Sequence, residues 1–156
     1  MKKISIICVG SLKEKYLKDA ESEYLKRLKR YYDVEIICLQ EAIEDNVSQA
    51  LIEQKKNKEG LEILKKVKGY TIALCIDAKM YDSVALAKKI DATLDEFSQI
   101  TFIIGGSNGL SDEVQKCANE KISFSPLTFP HQLMRIILLE QIYRAGTIIE
   151  GKTYHK

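Results

Sequence analysis

The sequence predicts an α/β fold, a mostly parallel sheet with helices on both faces. Three observations predict it. Five short runs rich in Ile and Val recur along the 156 residues. Several are apolar on consecutive positions, as in strands covered on both faces. Between them lie stretches with apolar residues at helical spacing, and such alternation builds a parallel sheet crossed by helices. No Gly/Ser/Pro-rich linker and no internal repeat interrupts the chain, so a single domain over 1–156 is expected. A chain of this length buries roughly 70% of its unfolded surface.

The first strand is Ile4–Val9. The helix after it runs from Lys13 to Arg30, with Tyr16, Leu17, Ala20, Tyr24, Leu25 and Leu28 at helical spacing. Val34–Leu39 is the second strand. Ser48 to Val67 is the second helix, with Leu51, Ile52, Leu61, Ile63 and Leu64 at helical spacing and Gly69 as its stop signal. Strand Tyr70–Ile76, helix Ser83–Phe97, strand Ile100–Ile104, helix Ser111–Ala118 and strand Lys121–Phe124 follow. The last helix, Gln132 to Glu150, is different. Leu133, Met134, Ile136, Ile137, Leu138, Leu139, Ile142, Tyr143, Ala145, Ile148 and Ile149 cover most of its circumference. Such a helix must be buried on nearly all sides. The sheet covers one face, and a homodimer interface is the economical cover for another. The alternative is a helix central to the monomer's own core.

With 46% hydrophobic and 29% charged residues, the chain is too apolar to be disordered. Lys+Arg is 24 and Asp+Glu is 22, and a net charge of +2 excludes a binder held to nucleic acid by charge alone. Charge position matters as well as charge sum. Near the carboxyl terminus Arg135, Arg144, Lys152, His155 and Lys156 outnumber Glu140 and Glu150, while Glu41, Glu44, Asp45, Asp91, Asp95 and Glu96 lie earlier. A basic carboxyl-terminal face is therefore expected. Cys8, Cys38, Cys75 and Cys117 form no CxxC or Cys/His cluster, so no metal is expected. Three of them sit in apolar runs and read as small buried thiols of a reduced compartment. Met1-Lys2-Lys3 before Ile4–Val9 mimics a signal peptide, but the apolar run is too short and Lys13, Glu14 and Lys15 follow. No segment approaches the ~20 apolar residues of a membrane span. A soluble, cytoplasmic protein with no membrane partner is expected.

Three motifs carry chemistry. Gly105-Gly106-Ser107-Asn108-Gly109 lies directly between a strand and a helix. Glycines there let backbone approach a ligand, and ligands of parallel sheets bind at the strands' carboxyl ends. The motif is neither GxGxxG nor a P-loop. It does match the G-x-S-x-G nucleophile elbow, with Asp112 and His131 or His155 as partners for Ser107. Against a serine hydrolase stand the short chain and the lack of an HGGG-like oxyanion segment. The second motif, Phe124 to His131, interleaves Phe124, Leu127 and Phe129 with hydroxyls, which suits a pocket for a flat heteroaromatic ligand. Its bland reading is a rigid loop, with Pro130 in the first helical turn and Thr128 or Ser125 as cap. The third, Tyr154-His155-Lys156, is either a frayed end or a pair able to stack on and hydrogen-bond a base.

Together these motifs resemble the SPOUT methyltransferases, and within them the ribosomal large-subunit methyltransferase H family. The likeness runs end to end: the opening Ile7-Cys8-Val9-Gly10, the Gly105–Gly109 motif, the run Ser123 to Gln132, Tyr143-Arg144-Ala145 and Tyr154-His155-Lys156. The resemblance implies a homodimer with a deep carboxyl-terminal trefoil knot and S-adenosylmethionine as methyl donor. It implies donor contacts from Leu74, Gly105, Phe124, Ser125, Pro126, Leu127, Thr128 and Phe129. The implied reaction is methylation at N3 of a pseudouridine in helix 69 of 23S rRNA within the assembled 70S ribosome. Arg144 is then expected to stabilise anionic oxygen or hold phosphate, His155 to act as base or base-binder, and Tyr154 to stack. Glu140, four residues before Arg144, is placed to pair with it. Under this reading Ser107 is a turn residue and His131 either structural or catalytic. The tail is expected to complete the pocket of the other subunit. Asp77-Ala78-Lys79 departs from the family, which usually has glycine before the lysine, so the turn there is expected to differ. A non-catalytic, knotted or flavodoxin-like nucleotide-binding module that acts on ribosomes by occupancy is the remaining alternative.

Overall fold

The computed structural model describes residues 1–41 and 48–156; Glu44 and Asp45 lie outside them. The elements are β1 (Lys3–Val9), α1 (Lys15–Leu28), β2 (Asp33–Leu39), α2 (Gln49–Leu64), β3 (Tyr70–Met80), α3 (Ser83–Phe97), β4 (Gln99–Ile104), α4 (Asp112–Cys117), β5 (Glu120–Ser123) and α5 (His131–Ile149). The strands form one sheet in the order β2-β1-β4-β3-β5. Every strand pair in it is parallel, with Ile6 opposite Phe102 and Ile36, and Ile72 opposite Phe102.

Alternation along each strand sends side chains to two separate cores. Ile4, Ile6, Ile72, Ile100, Phe102 and Ile104 meet Leu28 of α1, Leu86, Ile90 and Leu94 of α3, and Leu138, Leu139 and Ile142 of α5. Ile7, Val9, Ala73 and Ile103 meet Ile63 of α2 and Val114 of α4. Helices thus cover both faces. Coverage thins at the edge strand β2, which is why Cys38 is exposed although it sits in an apolar run. Cys8 is buried, and burial pushes its thiol up to about 12; Cys75 is half-buried and Cys117 exposed. Of the three cysteines in apolar runs that read as buried, only Cys8 is fully so.

The near-circumferential apolar pattern of α5 is satisfied largely within the chain. One side lies on the sheet, and α1 and α3 flank it. Leu133 and Ile149 remain exposed, and Met134, Ile137, Tyr143 and Ile148 half-buried. These residues are the part of α5 that the chain's own elements leave uncovered. Its start also differs from expectation. Pro130 occupies the N-cap position and no side chain caps; the Ser125 hydroxyl instead accepts the Leu127 N–H at 3.0 Å.

Arg135 does not belong to a basic face. It is 2% exposed, donating to the Gly10 carbonyl at 2.7 Å and to Glu21 at 3.2 Å. Its position on α5 turns it toward α1, into the interior. Removing one partner of a buried pair strands the other, so Arg135→Met is expected to cost about 3 kcal/mol. Urea unfolding checks this; a loss below about 1 kcal/mol would show the guanidinium to be dispensable.

Candidate active site

The order β4-β3-β5 sets three strand ends side by side, and the loops leaving them enclose a cavity of about 880 Å³. Leu74 on β3, Gly105 after β4, and Phe124, Ser125, Leu127, Thr128 and Phe129 after β5 all line it. Pro126, between Ser125 and Leu127, does not. Ile104, Leu110 and Met134 extend the apolar wall, while Lys56, Asp77, Gln115, Lys121 and His131 add polar groups.

Each wall has a local cause. After β4 the chain turns back on itself, with the Gly109 N–H donating to the Gly106 carbonyl at 3.0 Å. The Ser107 N–H donates to Glu41 at 2.9 Å, tying the turn to the end of β2. A Cβ on Gly105 would lie 2.8 Å from the Gly109 carbonyl carbon, so only glycine lets the turn close. On β3 the pairing with β5 jumps from Leu74 to Lys79, both opposite Ile122. The residues between leave the ladder, and Cys75, Ile76 and Asp77 form the cavity's rim. Ala78 is accommodated there without left-handed backbone: among the described residues Ser98 is the only non-glycine at positive φ.

His131, the first residue of α5, sits with its Nε2 3.6 Å from Glu41 Oε2. Ser107 has no hydrogen bond from its hydroxyl to a histidine or carboxylate among the described residues, so the partners of a nucleophile elbow are not assembled around it.

The other expected residues gather at the far end of α5. Glu140 Oε1 accepts from Arg144 at 2.5 Å and from the Tyr154 hydroxyl at 3.1 Å. Arg144 NH1 lies 3.0 Å from His155 Nδ1, and its guanidinium sits 4.8 Å above the Tyr154 ring. Tyr143 meets Tyr154 edge-on at 4.9 Å. The tail is not frayed. The Lys152 N–H donates to the Thr147 carbonyl at 2.9 Å, and Tyr154 and His155 are held by their own helix. Burial, with the Glu140 carboxylate beside it, pushes the Tyr154 phenol above its ordinary range. The hydrogen bond to Glu140 raises the Arg144 guanidinium further still.

His155 lines a second cavity, of about 510 Å³, with Ser83, Ile137 and Gln141. Phe124 and Phe129 line both cavities and so stand between the loop-lined cavity and the tail. Two residues here escaped sequence reasoning. Ser83 donates to Gln141 at 2.8 Å, and Gln141 donates to Glu140 Oε2 at 2.9 Å. They extend the Glu140 network across to α3. No local pattern marks either; only the packing of α3 on α5 joins them.

A family model described as predicted SPOUT methyltransferase matches residues 1–155. The chain belongs to the SPOUT methyltransferase family. Curated SPOUT relatives named ribosomal RNA large subunit methyltransferase H match it almost end to end. The one from Streptococcus thermophilus is 54% identical over 158 residues, covering 99% of each chain. Those from Bacillus pumilus and Alkaliphilus oremlandii are 51% and 53% identical, each covering 98% of this chain and 99% of the relative. A solved structure of a probable methylase family protein from Haemophilus influenzae is similar in fold alone, with TM-score 0.57 and 12% identity. It spans 98% of this SPOUT chain and 70% of that one. Among the described residues no helix is long and apolar enough to cross a membrane.

Proposed function

We propose that this chain methylates N3 of a pseudouridine in helix 69 of 23S rRNA on the assembled ribosome, as a homodimer with a knotted carboxyl-terminal part. The observation that carries the reading is the convergence of three separate chain segments on one cavity, together with the Glu140–Arg144–Tyr154–His155 cluster gathered at the other end of α5. The relatives' shared name, over nearly the whole chain, supports the ribosomal RNA target.

The cavity suits S-adenosylmethionine. At about 880 Å³ it falls within the range of cofactor sites, and its lining mixes an apolar wall with polar side chains able to orient a ligand. Leu74, Leu110, Phe124 and Phe129 would pack the adenine, and the backbone of Gly105 and of 124–129 would read its edge. Pro126 is one residue out of the wall and would act by stiffening that loop. When bound, the donor supplies a methyl group on a positively charged sulfur, reactive toward a nitrogen lone pair.

The imide N3–H of a pseudouridine is a poor nucleophile until its proton leaves, and the electron pair left behind spreads onto the flanking carbonyl oxygens. A fixed cation next to those oxygens lowers the barrier. Arg144 supplies it, held by Glu140, while Tyr154 offers a ring face for stacking. The tail side chains are already fixed on their own helix, so one subunit presents them as a unit to the other's donor cavity. Leu133 and Ile137, one turn apart on the outer side of α5, offer apolar contact to that second subunit.

Incubation of the protein with methyl-labelled S-adenosylmethionine and ribosomes from a strain lacking the enzyme should place label on one 23S rRNA nucleotide, mapped by mass spectrometry. In the same assay, mixed dimers of a tail-deleted and a donor-dead subunit should regain about one working site. No label on ribosomes or on free large-subunit RNA overturns the reading. Donor binding without transfer would replace it with a module acting by occupancy, and uniformly dead mixed dimers would end cross-subunit completion.

A further inference from the structure

The contact between Arg144 and His155 decides what the imidazole can do. A guanidinium has five N–H donors and no acceptor. His155 Nδ1, 3.0 Å from Arg144 NH1, therefore meets it with its lone pair. An imidazole whose Nδ1 accepts carries its proton on Nε2, and Nε2–H then becomes the only polar hydrogen the ring can offer. A second proton, on Nδ1, would set two N–H groups against each other and place a cation beside a guanidinium that Glu140 already holds in position.

We propose that Arg144 locks His155 as the Nε2–H tautomer, so that the ring works as a hydrogen-bond donor to the substrate and not as the base that removes its proton. The inference rests on the methyl-transfer reading and sharpens it. His155 lines the 510 Å³ cavity, and in the proposed dimer its ring is presented to substrate held at the other subunit's donor cavity. A carbonyl oxygen flanking the reacting nitrogen is the group that gains negative charge as N3–H breaks. Nε2–H donates to that oxygen, more strongly as the charge develops. The N3 proton goes to water and its bonding pair stays on the imide. N3 then forms the bond to the methyl carbon, and the pair of the broken S–CH3 bond remains on sulfur.

The other groups of the cluster are equally unsuited to be the base. The Tyr154 phenol is raised and stays protonated, and Arg144 keeps its charge. The Glu140 carboxylate is engaged by Arg144, Tyr154 and Gln141. Among the described residues Arg144 meets His155, and Asp82 and the Tyr81 phenol share the wall of its cavity.

Two measurements test this. The chain has two histidines, so two-bond proton–nitrogen correlation spectra of histidine-labelled protein resolve both rings, with His131→Asn assigning them. His155 should show an unprotonated Nδ1 and a protonated Nε2 at neutral pH, and Arg144→Ala should release it to a mixture of tautomers. A protonated Nδ1 in the wild type overturns the proposal whether or not the protein methylates anything. In the transfer assay, glutamine places an amide N–H₂ near the Nε2 position but accepts no proton. His155→Gln should keep the rate within about tenfold of wild type, whereas His155→Ala loses the ~10²-fold or more typical of a donor to a developing oxyanion. A glutamine variant as inactive as the alanine variant, with S-adenosylmethionine still bound, would restore His155 as a base.

Discussion

Arg144→Ala should slow methyl transfer about 10³-fold while leaving the dissociation constant for S-adenosylmethionine within about twofold. The split follows from position. Arg144 is absent from the walls of the 880 Å³ cavity, so the donor does not depend on it. It is the hub of the other half of the site, bridging Glu140 at 2.5 Å and His155 at 3.0 Å with the Tyr154 ring beneath it. Its loss removes a fixed cation, frees the His155 ring and leaves the Glu140 carboxylate with two donors in place of three. Arg144→Lys keeps the charge but has no planar fork to reach both partners, and should recover only part of the rate. Single-turnover transfer and titration calorimetry with S-adenosylmethionine separate the two quantities. A parallel loss of donor affinity would mean that the cluster and the cavity are one subsite.

The opposite split is expected at the glycine turn. In Gly105→Ala the new Cβ would fall 2.8 Å from the Gly109 carbonyl carbon and 2.9 Å from its oxygen, which no real methyl tolerates. Backbone, and not a flexible side chain, has to move. The turn carries one wall of the cavity, and overpacking of this kind costs about 1–3 kcal/mol, so donor affinity should fall roughly 10- to 100-fold. Gly109→Ala is the control. Nothing lies within 4 Å of its Cβ position, but its φ of +80° is left-handed. It should destabilise the fold by about 1 kcal/mol and weaken the donor far less. Calorimetric titration checks both variants. A change below about threefold in Gly105→Ala would remove this turn from the donor wall.

Much of the fold was legible because its cause is local. Consecutive apolar runs such as Ile4–Val9 and Ile100–Ile104 have no stable place except inside a sheet covered on both faces, and they lie there. The Glu140–Arg144 pair was equally legible, since residues four apart meet on any helix. Where local pattern misled, a neighbour was the reason. Cys38 is exposed because β2 is an edge, and a strand's sequence does not say how many strands lie beyond it. Nor does the apolar girdle of α5 say which part of it α1 and α3 cover and which part, with Leu133 and Ile149, they leave open.

The chain's own order of residues determined the alternation of strands and helices, the glycine turn after β4 and the apolar loop after β5. Each depends on interactions among near neighbours. The tertiary structure alone decided what these pieces do together. Arg135 and Arg144 share one helix and one chemistry, yet one is sealed against Gly10 and Glu21 while the other holds a histidine beside a cavity. Nine residues apart on an α-helix is half a turn out of phase, and phase has meaning only once α1, α3 and the sheet are in place. Likewise Leu74, Gly105 and Phe124 become neighbours only because the parallel order β4-β3-β5 brings three carboxyl ends to one edge, and Ser83 reaches Gln141 only because α3 packs on α5.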